Sequence, residues 1–173
     1  KNRHNTYKND HNIFVSYQLG DYMNETKLER CLDVRVIRVI TGIGAILTII
    51  SFMFLWCNIN GIGYTGLQFA EGDAIVEFGD SFQRYLPMGA FLVGFASLMI
   101  PLASVARPSL RIPYWITLLF GFMILIMVTT FSMWTPYDGF TMIDHKDIGS
   151  LLAMLGGTLC VISGILNFIK GDD

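Results

Sequence analysis

The sequence predicts an all-α membrane protein, a left-handed bundle of four transmembrane helices with a short extracellular β-hairpin in its first loop. Three observations carry that prediction. Four hydrophobic stretches, at about residues 36–56, 86–106, 113–134 and 148–169, each reach the ~20 residues a helix needs to cross a ~30 Å hydrocarbon core. No ionisable side chain lies well inside any of them. Ten of the twelve Lys and Arg fall before the first stretch, between the second and third, or after the fourth, leaving only Arg84 and Lys146 on the opposite side. By the positive-inside rule, that bias places both termini in the cytoplasm and the protein in the cell membrane as a multi-pass chain.

Composition agrees, since 53% of the 173 residues are hydrophobic and 15% charged, and the mean hydropathy is +0.50. Two regions follow: a cytoplasmic polar arm and helix lead-in at 1–33, and a four-helix transmembrane domain at 34–173. The arm is rich in Asn, Lys, His and Asp, and its aromatic residues Phe14, Tyr17 and Tyr22 suggest a segment that orders against a partner. Thr26 and Glu29 have capping-box spacing for a helix that runs on into span one, with Arg35 and Arg38 at headgroup level. The length of the first apolar stretch and the polar segment before it argue against a secretory signal.

Span one is read as ending at Phe52, Phe54 and Trp56. The residues from Asn58 to Phe69 alternate polar and apolar around three glycines and predict the hairpin. Span two carries Pro101 near its cytoplasmic end. The short connection to Pro113, which suits the first turn of span three, makes spans two and three antiparallel neighbours. Trp56, Tyr85, Trp134 and Tyr137 form the expected outer aromatic belt, and Tyr114 and Trp115 the inner one.

In lipid, helices associate by close approach of small residues, so the small residues are the ones to trace. Span one offers Thr41, Gly44, Thr48 and Ser51; span two Ala90, Gly94, Ser97, Pro101 and Ser104; span four Gly149, Ala153, Gly156, Cys160, Ser163 and Asn167. Spacings of three and four residues keep each stripe on one face of a left-handed bundle, which predicts a tight core of spans one, two and four. Span three offers only Gly121 at its centre, so it is expected to be the most lipid-exposed helix or the docking face for another membrane protein, with Met123, Met127 and Met133 as adaptable contacts.

Motifs for chemistry are sparse. Asp138, Asp144, His145 and Asp147 cluster in the second external loop, and Asp144, His145 and Asp147 are the weak candidates for a metal, although the spacing matches no specific ligand set and Asp147 is equally a cap for span four. Glu71, Asp73, Glu77 and Asp80 lack the spacing of a calcium loop. Gly61, Gly63 and Gly66 match a dinucleotide fingerprint in letters only, without the strand and helix context. Cys31, Cys57 and Cys160 are predicted at different depths and are read as free thiols. No catalytic, cofactor-binding or nucleic-acid-binding signature appears.

The aromatic exit of span one with Trp56, the segment from Gly61 to Gly66 and the small-residue last span resemble uncharacterised prokaryotic four-span membrane proteins over roughly residues 36–169. Many of those have Pro before the Trp, where this chain has Leu55. The plan is also similar to that of claudins and tetraspans, but the claudin Gly-Leu-Trp signature is absent, since Gln68 follows Gly66 and Leu67, and Cys57 has no partner in its loop. The resemblance implies a four-span fold and no junction-forming role.

The functional expectation is a non-catalytic integral membrane accessory subunit bound to lipid and to other integral membrane subunits, or to further copies of itself, with no enzyme activity and no cofactor. A transporter or channel subunit using Thr48, Ser51, Thr129, Thr130 and Ser132 is the first alternative. A membrane enzyme with an external Asp144 and His145 site is the second.

Overall fold

A computed structural model describes residues 34–59, 61–72, 81–107, 113–135 and 141–170. All but the first three of these belong to one compact unit, Ile37–Asp173. The arm, its capping box at Thr26, Cys31, Arg111, Tyr137, Asp138 and the acids at 73, 77 and 80 lie outside the described residues.

Four helices are long and apolar enough to cross a membrane: α1 (Val34–Ser51), α3 (Leu86–Ala106), α4 (Tyr114–Ser132) and α5 (Ile148–Lys170). Between α1 and α3 stand β1 (Leu55–Ile59), β2 (Ile62–Thr65) and the short helix α2 (Gly66–Glu71). The chain is thus a helical, multi-pass membrane protein carrying a small two-stranded sheet. Pro87 opens α3, where its missing N–H costs no bond, and Pro113 caps α4. α3 runs unbroken through Pro101.

The first span is shorter than expected. α1 stops at Ser51 rather than Trp56, which at 1.5 Å per residue makes it about 27 Å long. Phe52, Met53 and Phe54 turn, each amide bonded to the carbonyl three residues back, and Leu55 and Trp56 enter β1. The apolar run alone favoured a longer helix; tertiary contacts of Trp56 decide otherwise, as shown below. β1 and β2 pair antiparallel, with Ile59 opposite Ile62 across a two-residue connection in which Gly61 has φ 85°. That left-handed conformation carries no Cβ penalty in glycine. The hairpin therefore begins three residues earlier than Asn58, and the predicted tail from Gly66 to Phe69 lies in the helix α2. Thr65 and Gln68 form a capping box at its start, and Gly72 at φ 99° closes it.

The pairing slips by one residue between Leu55 and Cys57, making Trp56 the extra residue of a β-bulge. A regular strand sends neighbours to opposite faces; the bulge lets Trp56 and Cys57 both be fully buried. On the far edge of β1, Asn58 N–H donates to the His145 carbonyl at 2.8 Å and Asp147 N–H to the Trp56 carbonyl at 3.0 Å. The loop before α5 is thereby tied to the hairpin by a single antiparallel bridge between Cys57 and Lys146.

Span three differs from expectation. α4 packs along most of α5, and Thr117, Ile124, Val128 and Phe131 are buried. Only 22% of the apolar window of the span at Phe82–Ala106 is buried, against 28% for Trp115–Ser132, so span two is the more exposed. The reason is that the small residues of this contact come mainly from α5 and not from α4. Gly121 of α4 meets the Val161 backbone and the Gly157 carbonyl, Gly157 meets Ile124, and Gly164 meets Leu118.

Candidate functional site

Two arrangements give the molecule its character, a seam of small residues through the bundle and an aromatic headpiece at the end where the hairpin lies. Of the fifteen packing residues named from the sequence, thirteen are buried: Thr41, Gly44, Thr48 and Ser51 in α1, Ala90, Gly94, Ser97 and Ser104 in α3, and Gly149, Ala153, Gly156, Cys160 and Ser163 in α5, while Pro101 and Asn167 are half-buried.

Their contacts join three helices at Thr48. A methyl group added at Gly94 would meet Thr48 Cγ2 at 2.9 Å, and one added at Gly156 would meet the Gly44 carbonyl at 2.5 Å and the Thr48 amide at 3.0 Å. One added at Gly44 would meet the Gly156 carbonyl at 2.7 Å and Cys160 Sγ at 3.1 Å. Such spacing exists only where no Cβ intervenes, and it lets helices gain dispersion energy that burial against lipid does not provide.

The hydroxyls in the seam are engaged locally. Thr48 donates to the Gly44 carbonyl at 3.0 Å, Ser51 to Thr48 at 2.6 Å and Ser97 to Val93 at 2.9 Å. Thr41 Oγ1 lies 2.8 Å from Ser163 Oγ, a bond between α1 and α5, while Ser163 donates to the Cys160 carbonyl at 2.9 Å. Each polar group in this dry region therefore has a partner at hand.

Gly149 does something else. Its missing side chain makes room for Trp56: a Cβ there would sit 2.7 Å from the indole Cδ1, and one at Gly66 would sit 3.1 Å from Nε1 and 2.7 Å from the Phe52 ring. The indole N–H donates at 2.8 Å to the Ser51 carbonyl at the end of α1, which also accepts the Phe54 N–H at 3.1 Å. Phe131 meets Trp56 edge-on at 5.3 Å between centroids, and Phe69 meets Phe131 at 5.2 Å, geometries that aromatic quadrupoles favour. Trp56 and Trp134 are thus core residues rather than members of the outer belt, while Tyr85 remains exposed.

The acidic loop residues are dispersed among separate tasks. The Asp144 carboxylate accepts from Thr141 at 2.8 Å. Asp147 takes the Ile148 N–H on its carboxylate at 2.6 Å and the Leu151 N–H on its carbonyl at 3.3 Å, the role of a cap for α5. Among the described residues, no three His, Cys, Asp or Glu side chains are grouped to hold a metal ion. Burial, and then the nearby Asp147 carboxylate, push the Cys57 thiol from the ordinary 9.0 up to about 12. The hydroxyls nominated for a transport path do not come together, because Thr48 and Ser51 are buried whereas Thr129 and Thr130 face outward.

Sequence reasoning missed Gly157 and Gly164, a second small-residue seam one position over from Gly149, Gly156 and Ser163. The seven-residue interval from Gly157 to Gly164 was the available signal. It also missed the capping box, legible as Thr65 with Gln68 three residues on. Compared with known proteins, the chain matches no family model, no curated protein and no solved structure.

Proposed function

We propose that this chain is a non-catalytic integral membrane subunit that associates with other integral membrane subunits in a larger complex. In this reading both termini are cytoplasmic, the hairpin headpiece faces outward, and the bundle is left-handed, as the seven-residue intervals along α5 favour. The bias of Lys and Arg toward one side supports the orientation.

The observation that carries the reading is how the interior is used. The spans hold no Asp, Glu, His, Lys or Arg at depth, and the seam hydroxyls of Thr41, Thr48, Ser51 and Ser97 bond to backbone or to another seam hydroxyl, so the buried volume serves to fix helices in place. Transport and enzyme chemistry both call for polar groups left available at one location, and the nominated residues are spread over inward and outward faces. The resemblance to prokaryotic four-span proteins is part of the same proposal and adds no activity.

Extraction in a gentle detergent, native gel electrophoresis and identification of co-purifying subunits test it. The expected result is a stable species larger than the 19.5 kDa chain containing other membrane polypeptides. A lone monomer under all extraction conditions would overturn the reading. The orientation has its own test in the sequon Asn24-Glu25-Thr26, where a glycan acquired in a eukaryotic host would reverse it.

A further inference from the structure

We propose that the end of the bundle away from the hairpin binds an anionic phospholipid in the groove between α1 and α3, with Arg38 and Arg107 holding the headgroup above an apolar rail of Val39, Leu102 and Val105. The register of the two helices places these residues. Phe52 stacks near Phe91 at 4.9 Å between centroids, Thr48 fills the space over Gly94, and Gly42 lies opposite Pro101, where an added Cβ would be 4.0 Å from Cγ. Residue numbers rise on one helix as they fall on the other. One turn past Gly42, Arg38 is level with Val105, and Arg107 follows as the C-cap, just beyond the last residue of α3.

Charge complementarity selects the occupant. Among the described residues of this unit, that end holds Arg38, Arg107 and Lys170 and no carboxylate. Arg38 is half-buried, as a guanidinium is when its stem lies along apolar surface and its head reaches for the interface. Val105, level with Arg38, and Val39 and Leu102, deeper along their helices, are exposed at 73%, 60% and 53%. Cations immediately above an exposed aliphatic surface match a molecule with a phosphate at one end and acyl chains at the other; a soluble phosphate or an acidic peptide would use only the upper half. Lipid capture here needs no partner subunit and is the same in either leaflet.

Native mass spectrometry of the full chain, released from gentle detergent with equal amounts of phosphatidylglycerol and phosphatidylcholine, reads the preference directly. Phosphatidylglycerol is expected to be retained over phosphatidylcholine, with affinity falling about fivefold for each cation neutralised, in R38Q and R107Q, and multiplicatively in the double variant. R38K and R107K should keep the preference, and K146Q, at the other end, should leave it unchanged. Circular dichroism of each variant distinguishes lost binding from lost folding. Equal retention of the two lipids, a preference that survives in the folded double variant, or displacement of phosphatidylglycerol by glycerol phosphate at matched concentration would overturn the proposal.

Discussion

Adding one methyl group at Gly156 should loosen the bundle, and the size of the effect follows from distances at the α1–α5 seam. The new Cβ would lie 2.5 Å from the Gly44 carbonyl oxygen and 3.0 Å from the Thr48 amide nitrogen, both backbone atoms, where ordinary contact begins at 3.4 Å. Thr48 Oγ1 is nearer still, and relieving the clash with the Gly44 carbonyl alone requires α1 and α5 to separate by roughly 0.9 Å, while a gap of ~0.5–1 Å forfeits a quarter to a half of the dispersion well for every atom pair it opens. Overpacking of this kind costs about 1–3 kcal/mol, against which the better helix propensity of Ala returns up to about 1 kcal/mol. Gly42 is the matched control, because a Cβ there meets only Pro101 Cγ at 4.0 Å. G156A should therefore be less stable than the parent while G42A is level with it or slightly more stable. Titration with a denaturing detergent in mixed micelles, followed by circular dichroism, measures both. Equal stability of the two variants would refute the argument that backbone proximity at this seam holds the helices together.

Other outcomes follow from the same geometry. Trp56→Phe removes the N–H that reaches the Ser51 carbonyl and leaves a void beside Gly66 and Gly149, so stability should fall by about 1–3 kcal/mol, read by the same titration. A double-mutant cycle of Thr41→Val and Ser163→Ala should give a coupling near ~0.6 kcal/mol, the usual worth of a hydroxyl bond between membrane helices; additivity would remove that bond from the account. Cys57 binds its proton more tightly when folded, so its contribution to stability is complete below 9.0 and declines as pH rises toward about 12, because the unfolded chain loses the proton first. Cys57→Ser should flatten stability over that interval relative to the parent, and iodoacetamide should label native Cys57 only after unfolding.

Much of the helical plan was legible because lipid imposes a simple requirement: about twenty apolar residues in sequence, visible in any window. α3 and α5 begin where the sequence places them, and α5 extends only to Lys170. The end of α1 was not legible, because Phe52 to Trp56 is as apolar as the helix before it and a strand facing a packed core carries the same composition. What stops the helix is distant in sequence, namely the space left by Gly66 and Gly149 for one indole ring. The place of α4 was obscured for a related reason. Its own centre has little but Gly121, and the glycines that let it approach, Gly157 and Gly164, belong to another helix. A stripe read on one helix does not reveal which neighbour it serves, and α5 serves two.

The bridge between Cys57 and Lys146, with the backbone bonds on either side of it, ties together segments almost ninety positions apart in the chain. Two connections that a linear reading treats as separate are thus joined edge to edge. A change that reshapes the hairpin alters the template against which the approach to α5 is laid. A displacement of either connection is therefore felt by the other through the amides of Asn58 and Asp147.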